Sequence, residues 1–285
     1  MSCQFESIIK EPKKISKIKP QVLDALIEQA TSQFRAEFNL LKIKAESVVF
    51  VGDTHGDFDT TLNIVEYFFD NDIEKIIFIG DYVDRGPKQL ENVVYLYALK
   101  VCYPTKVYLL RGNHETPLAN AYYGFKDIMI ELGLEPYYDK FNKSFGFIPV
   151  AAIVNDVFFV VHGGIASKLN DVEQINAIPR PDDVWSANIV MELLWNDPRE
   201  NISGFVPSYR GPGIYFFGRD VFEEFMQKNG LEKMIRAHEV FLEGYHYYFD
   251  KQILSLFSSK NYVGRKIDAK IGKLEGDKLT VVSLR

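Results

Sequence analysis

Five polar clusters in this 285-residue chain have the residue types and spacing for metal-assisted hydrolysis. They are Asp53-x-His55, Asp81 followed by Asp84-Arg85, Arg111-x-Asn113-His114, His162 and His238. Of the 5 histidines, His55, His114, His162 and His238 stand at or shortly after the end of an apolar run. One histidine so placed is usually a hydrogen-bonded loop residue, but four of them with Asp53, Asp81 and Asn113 point to a shared site. Imidazole and oxygen ligands without cysteine suit Mn, Fe, Mg or Zn rather than copper or iron–sulfur chemistry. A carboxylate such as Asp81 can bridge two ions. Two divalent ions ~3.5–4 Å apart bind a water or hydroxide between them, lower its pKa towards ~7 and polarise a phosphoryl oxygen for in-line attack.

Arg85, Arg111 and Arg210 flank these loops. Planar guanidinium forks match pairs of phosphate oxygens in a way that an ammonium cannot. Each alone reads as a surface ion pair, whereas three around one acidic pocket suit a dianionic substrate. His114 directly follows Asn113, and a turn there can aim its ring away from the ions and towards substrate. Its protonated form can then donate to a leaving alkoxide as general acid, with Asp84 orienting it and keeping it charged. His246, set between tyrosines, reads as structural.

The elements that must position these groups follow from the pattern of apolar runs. Residues 48–51, 75–79 and 106–110 are short buried strands, and the first two end in Gly-Asp or Gly-Asp-containing loops. Helical stripes at 60–69 and 90–99 connect them, so right-handed crossovers in a parallel sheet bring all three loops to one rim. That rim is where open α/β sheets bind ligands. Residues 21–41 have the spacing of one or two amphipathic helices, 119–132 of another, and 137–147 is an aromatic stretch with no clear period. The second half turns β-rich: 148–154 and 157–161 form a hairpin on Asn155-Asp156, and 233–237 ends at His238. The runs 245–249, 253–257 and 280–284 are expected in a second sheet, 221–229 is helical, and the Pro- and Gly-rich segment 195–218 reads as a loop over the pocket.

At 47% hydrophobic, the chain suits one compact domain, with 1–46 a lead-in whose helices pack on a catalytic unit at 47–285. A net charge of −6 and a pI of about 5.5 argue against a broad nucleic-acid or anionic-membrane footprint. The basic run 10–20 reads as a solvated lead-in. Cys3 and Cys102 are too few for a disulfide framework, no signal peptide is evident, and no run approaches the ~20 apolar residues of a membrane span. The expectation is a soluble, cytoplasmic protein of a reducing compartment.

The blocks GDTHGD (52–57), GDYVDRG (80–86) and RGNHE (111–115) resemble the three signatures of the phosphoprotein phosphatases, a family of metal-dependent serine/threonine phosphatases. The resemblance continues through HGG (162–164), LLWNDPRE (193–200), RGPGIYFFG (210–218) and RAHEVFLEGY (236–245), and so spans roughly 45–264. It implies an α/β metallophosphoesterase fold, a β-sandwich of two mixed sheets flanked by α-helices. It assigns one metal to Asp53, His55 and Asp81 and the other to Asp81, Asn113, His162 and His238. Phosphate contacts fall to Arg85, Arg111 and Arg210, and the acid role to His114 with Asp84. The implied activity is hydrolysis of phosphoserine and phosphothreonine esters in phosphoproteins by a water or hydroxide bridging two divalent ions, manganese first, with iron, zinc or magnesium as alternatives.

The chain departs from the family at several points. Asp57 stands where relatives of the eukaryotic enzymes have glutamine, and Ile165-Ala166-Ser167 replaces leucine-serine-proline. Residues 257–263 resemble the family's segment that carries a tyrosine near the phosphate, with Lys260 for proline and Val263 for cysteine. Tyr262 thus either approaches the phosphate or packs as a core or rim aromatic, and sensitivity to the natural toxins that bind this segment is expected to differ. The short end after the last strand resembles the bare cores of archaeal and bacterial members and gives no ground for assigning regulatory subunits. Two other readings stand beside the phosphatase. One is a metallophosphoesterase for dinucleotide polyphosphates or other small phosphate esters, against which blocks 193–200 and 236–245 weigh. The other is an inactive phosphoprotein-binding module, against which the complete set of ligands, acid and arginines weighs.

Overall fold

The computed structural model describes residues 3–182 and 188–284. The N-terminal half runs α1 (Glu6–Lys10), a 3-10 turn (Pro12–Lys17), α2 (Pro20–Ala36), β1 (Leu40–Ile43), β2 (Ser47–Val51) and α3 (Phe58–Asp70). It continues through β3 (Lys75–Phe78), α4 (Gln89–Cys102), β4 (Val107–Leu109), α5 (Pro117–Tyr123), α6 (Phe125–Glu131) and α7 (Glu135–Phe145). Then follow β5 (Ala151–Val154), β6 (Phe158–Val161), a 3-10 turn (Val172–Ala177), α8 (Asn188–Trp195), β7 (Asp197–Pro198), β8 (Phe205–Pro207), β9 (Tyr215–Phe217) and α9 (Arg219–Asn229). The chain closes with β10 (Lys233–Arg236), β11 (Tyr245–Tyr248), β12 (Ile253–Leu256), β13 (Asn261–Tyr262), β14 (Arg265–Lys266), β15 (Lys270–Glu275) and β16 (Lys278–Ser283).

Alternation along β2 shows how the layers form. Val48 and Phe50 face a core shared with Leu41, Ala152, Val160, Ile235 and Leu254, residues of the other large sheet. Val49 and Val51 face the opposite way, into a core with Leu26, Ile64, Val94 and Phe141 from α2, α3, α4 and α7. Period-two alternation in strands buried on both faces gives two sheets packed face to face with helices outside. One sheet has the order β16-β15-β2-β3-β4, the other β1-β5-β6-β10-β12-β11. Both are mixed: β2, β3 and β4 run parallel while β15 is antiparallel to β2, and β10 is parallel to β6 and β12 while β5 and β6 are antiparallel. The fold is the expected mixed α/β sandwich. Helices α8 and α9 cover the outer face of the second sheet through Leu193, Leu194, Phe222 and Phe225.

Local details bear out several expectations and correct others. The β5–β6 hairpin turns on Asn155 and Asp156, with φ +53° and +59°, the positive values of a primed turn. The helical reading of 21–41 stops early: α2 ends at Ala36, Leu41 lies in β1, and Phe38 is 74% exposed. The single helix expected at 119–132 is two, broken at Gly124 with φ +117°, a conformation open to glycine alone at little cost. The aromatic stretch near 137–147 lies mostly in α7, burying Tyr137, Tyr138, Phe141 and Phe145. The segment 195–218 is more than a loop, since β7, β8 and β9 form a small sheet within it. The run near 280–284 lies in β16, which pairs with β15 and so extends the first sheet instead of the second.

Cys3 and Cys102 form a disulfide between the N-terminus and the end of α4. Disulfides persist in oxidising surroundings, so this bond bears against the reducing-compartment expectation. Among the described residues no helix is long and apolar enough to cross a membrane.

Candidate functional site

Strands β2, β3 and β4 end at one rim, and two glycines let their exit loops touch. A Cβ on Gly80, whose φ is +108°, would sit 2.4 Å from Gly112 N, and a Cβ on Gly112 would sit 2.2 Å from Asp81 Oδ1. The β2 and β3 exits are joined by main-chain bonds, Thr54 N and His55 N donating to Asp81 O at 3.1 and 2.8 Å. Strands β6 and β10 of the other sheet deliver His162 and His238 to the same place. His55, Asp81, Asp84, Arg85 and His238 all hold positive φ, between +43° and +73°. Strained backbone in non-glycine residues is stored where side chains must be aimed.

Asp81 is the hub. Its Oδ2 lies 3.4 Å from His55 Nε2 and its Oδ1 3.3 Å from His162 Nε2, so the two carboxylate oxygens face imidazoles on opposite sides. Asp53 Oδ2 lies 3.8 Å from His55 Nε2, and Asp53 Oδ1 accepts the His238 main-chain N–H at 2.9 Å. Asn113 Oδ1 sits 2.8 Å from both His162 Nε2 and His238 Nδ1. Two groups, His55–Asp81–His114 and Asp81–His162–His238, each bring three ligand atoms within 4.8 Å of one another, and every member is buried.

Two of the rings have their tautomer set from behind. His55 Nδ1 meets Val83 O at 2.9 Å and His162 Nδ1 meets Ile79 O at 2.8 Å. A ring nitrogen facing a carbonyl must donate, which leaves each Nε2 lone pair aimed at Asp81, the arrangement that supports metal-binding histidines. Asn113 Oδ1 then presents a further acceptor to His162 Nε2, and clustered lone pairs need a proton or a cation between them. The electrostatics agree. Burial raises Asp53 well above the ordinary carboxylate range, and the charge of Asp81 adds to the rise. Burial lowers His162, yet Asp81 outweighs it and carries the imidazole up to about 9. Burial alone dominates at His55, pushed down to about 4, and with Arg210 keeps His238 neutral. Such a cluster calls for positive charge, and its oxygen and imidazole donors without thiolate fit hard or borderline divalent cations.

The pattern of the calcineurin-like phosphoesterases matches residues 47–241, which carry every residue of this cluster. The chain belongs to that family. Over its full length, and 96% of the other chain, it superposes with a TM-score of 0.88 and 26% identity on a structure described as a protein serine/threonine phosphatase from Saccharomyces cerevisiae with similarity to human phosphatase PP5. A cold-active protein-tyrosine phosphatase of a psychrophilic Shewanella matches with a TM-score of 0.65 and 19% identity, over 88% of this chain and 84% of that one, and shares the fold.

Around the cluster of this calcineurin-like phosphoesterase, the sequence-predicted arginines differ in setting. Arg85 is exposed, its guanidinium 3.8 Å from the centroid of the Tyr123 ring, which in turn lies 5.0 Å from His114. Arg210 donates Nε to Asp197 Oδ2 at 2.6 Å, and the other oxygen of that fully buried carboxylate accepts Arg236 Nη2 at 2.8 Å. Arg111 is buried and donates to the main-chain oxygens of Glu115 and Asp182. The Tyr262 ring lies against the cluster, tilted to that of His55 with centroids 5.0 Å apart. His246 lies outside, stacked on Phe241.

Two buried side chains escaped the sequence reading. The Glu115 carboxylate accepts Asp81 N, Tyr82 N and Gly112 N at 2.8, 2.8 and 2.9 Å, clamping the β3 exit to the β4 exit. Asn120 Nδ2 donates to Asp84 Oδ2 and to His114 O at 3.0 and 2.6 Å. Glu115 stood inside a recognised block, a signal that was available; nothing local marks Asn120. Asp57, a departure from the family, caps α3 through Thr60 N and also accepts Lys260 N at 2.7 Å.

Proposed function

We propose that this phosphoesterase hydrolyses phosphoserine and phosphothreonine esters on protein substrates. The observation that carries the reading is Asp81, whose two oxygens face His55 on one side and His162 on the other, with His114 beside them tied to its own carboxylate. The full-length likeness to the yeast serine/threonine phosphatase supports the choice of substrate class. Asp53, His55 and Asp81 would hold one divalent cation, and Asp81, Asn113, His162 and His238 a second. Bound there, the cations would acidify a water and neutralise phosphoryl charge.

The remaining steps belong to the protein's own side chains. Arg85 and Arg210 pair with phosphate oxygens, each held in place, Arg85 by the Tyr123 ring and Arg210 by Asp197. Arg111 is the third phosphate contact in this reading, and its Nε also braces the 111–115 turn through Glu115 O. His114 Nε2 delivers a proton to the departing serine or threonine oxygen. Its Nδ1 is bound to Asp84 Oδ2 at 2.7 Å, which fixes the ring and favours its charged form. Tyr262 covers the cluster with an apolar ring and narrows access of bulk water to it.

The test is release of inorganic phosphate after chelation and re-addition of Mn²⁺, Fe²⁺, Zn²⁺ or Mg²⁺, compared across a phosphothreonine peptide, a phosphotyrosine peptide and diadenosine tetraphosphate. The reading expects metal-dependent turnover with the phosphothreonine peptide preferred. Preference for the dinucleotide or for phosphotyrosine overturns the substrate class, and turnover unaffected by chelation overturns the metal site.

A further inference from the structure

The ribbon after β12 carries charge that the site described above does not use. β13 and β14 pair antiparallel, with Tyr262 opposite Arg265 and Asn261 opposite Lys266. The two connecting residues, Val263 and Gly264, have φ of +47° and +75°, as tight hairpin turns of the primed type require. Directly opposed residues of a ribbon project to one face, so Arg265 shares the face of Tyr262 while Lys266 takes the other.

The Tyr262 face looks onto the catalytic cluster. Its ring lies 5.0 Å from His55 and 5.1 Å from Phe257, and its hydroxyl stands in the field of Arg85 and Arg210. The ribbon is also anchored at its base. The buried Asp57 carboxylate accepts Lys260 N at 2.7 Å, Asn261 N at 3.2 Å and Ser259 Oγ at 3.3 Å. A side chain on this ribbon is therefore held at a set position beside the mouth of the site.

Arg265 is exposed, and among the described residues its side chain forms no ion pair or hydrogen bond. Several cations of this acidic chain are matched to a carboxylate, among them Lys10, Lys42, Lys88 and Arg219. An arginine left unmatched on the face that meets substrate is suited to an anion brought by the substrate, and its planar fork selects a carboxylate.

We propose that Arg265 reads an acidic side chain flanking the phosphorylated residue, so that acidic phosphopeptides are the preferred substrates. The inference rests on the phosphopeptide reading of the site. A charge at an exposed rim acts mainly on encounter and ground-state binding, so it is expressed in KM and weakens with salt.

Two phosphothreonine peptides that differ only in carrying glutamates or glutamines beside the phosphothreonine provide the test. The ratio of their kcat/KM values is measured for the wild type, R265A, R265E and K266A, at low and high salt. The wild type is expected to favour the acidic peptide about three- to fivefold through KM, the scale of an exposed charge pair. R265A brings the ratio close to one, R265E inverts it, K266A keeps it, and high salt reduces it. Hydrolysis of both peptides alike by the wild type overturns the role of Arg265 alone, as does an equal loss of preference in K266A. Hydrolysis of neither removes the phosphopeptide reading and this proposal with it.

Discussion

His114 Nδ1 lies 2.7 Å from Asp84 Oδ2, and that carboxylate is gripped by Asn120 Nδ2 and Phe125 N, both at 3.0 Å. Asp84 is fully buried and holds φ +66°, so the chain accepts local strain to place an anion behind this one ring. The ring's other nitrogen faces the cluster, 4.0 Å from Asp81 Oδ2. Replacing His114 with asparagine removes the proton donor and leaves the ligand set Asp53, His55, Asp81, Asn113, His162 and His238 intact. H114N is expected to lower kcat by about 10²–10⁴-fold with metal content unchanged. Elemental analysis beside steady-state kinetics checks both halves.

The same pair predicts a pH effect of definite sign. Burial lowers the His114 pKa, but Asp81 and Asp84 outweigh it and the ring is raised above its ordinary value. A general acid works only while protonated, so activity falls as pH rises through that raised pKa. D84N withdraws one of the raising charges and moves this basic limb to lower pH. Profiles of kcat against pH for the wild type and D84N measure the displacement; a limb moving to higher pH would contradict the role given to Asp84.

Glu115 ties the β3 and β4 exit loops through three main-chain donors. An amide in its place turns an N–H towards N–H groups and leaves buried donors unpaired, at about 1–3 kcal/mol. E115Q is expected to be destabilised by about that much in denaturant titration and to bind metal about 10–100-fold more weakly, because Asp81 is aimed through this clamp.

Away from the site, Lys100 and Glu37 form a largely buried ion pair whose side chains are 1% and 19% exposed. Burial raises Glu37 and lowers Lys100, in each case against the pull of the partner, so desolvation outweighs the attraction on both sides. K100M alone strands the carboxylate and is expected to cost about 3–5 kcal/mol, whereas E37L/K100M returns to within about 1 kcal/mol of wild type or exceeds it. Chemical denaturation of the two variants decides the point.

The rim where these side chains gather was legible because its causes are local. A strand that ends in glycine and aspartate, or delivers a histidine, prints that order in the chain, and Asp53, Asp81, His162 and His238 emerge where the runs stop. Sheet membership is a long-range property: the run in β16 reads as a strand, yet only pairing with β15, and of β15 with β2, puts it in the first sheet. Asn120 was illegible for the same reason, since its meaning comes from Asp84, 36 positions away. The disulfide shows another limit. A pair of cysteines 99 residues apart gives no spacing to read, and their meeting is decided by how the N-terminal segment and α1 pack on α4. Arg111 was placed among phosphate contacts by type and motif, and its main-chain contacts to Glu115 and Asp182 became visible only with the turn in three dimensions.

The central claim is that side chains from both sheets gather around Asp81 to hold a pair of cations. Anomalous scattering from manganese-soaked crystals tests it most directly. The account predicts two peaks flanking the Asp81 carboxylate, one towards Asp53 and His55, the other towards Asn113, His162 and His238. Crystals that take up manganese elsewhere, or show no peak within reach of Asp81, would contradict it.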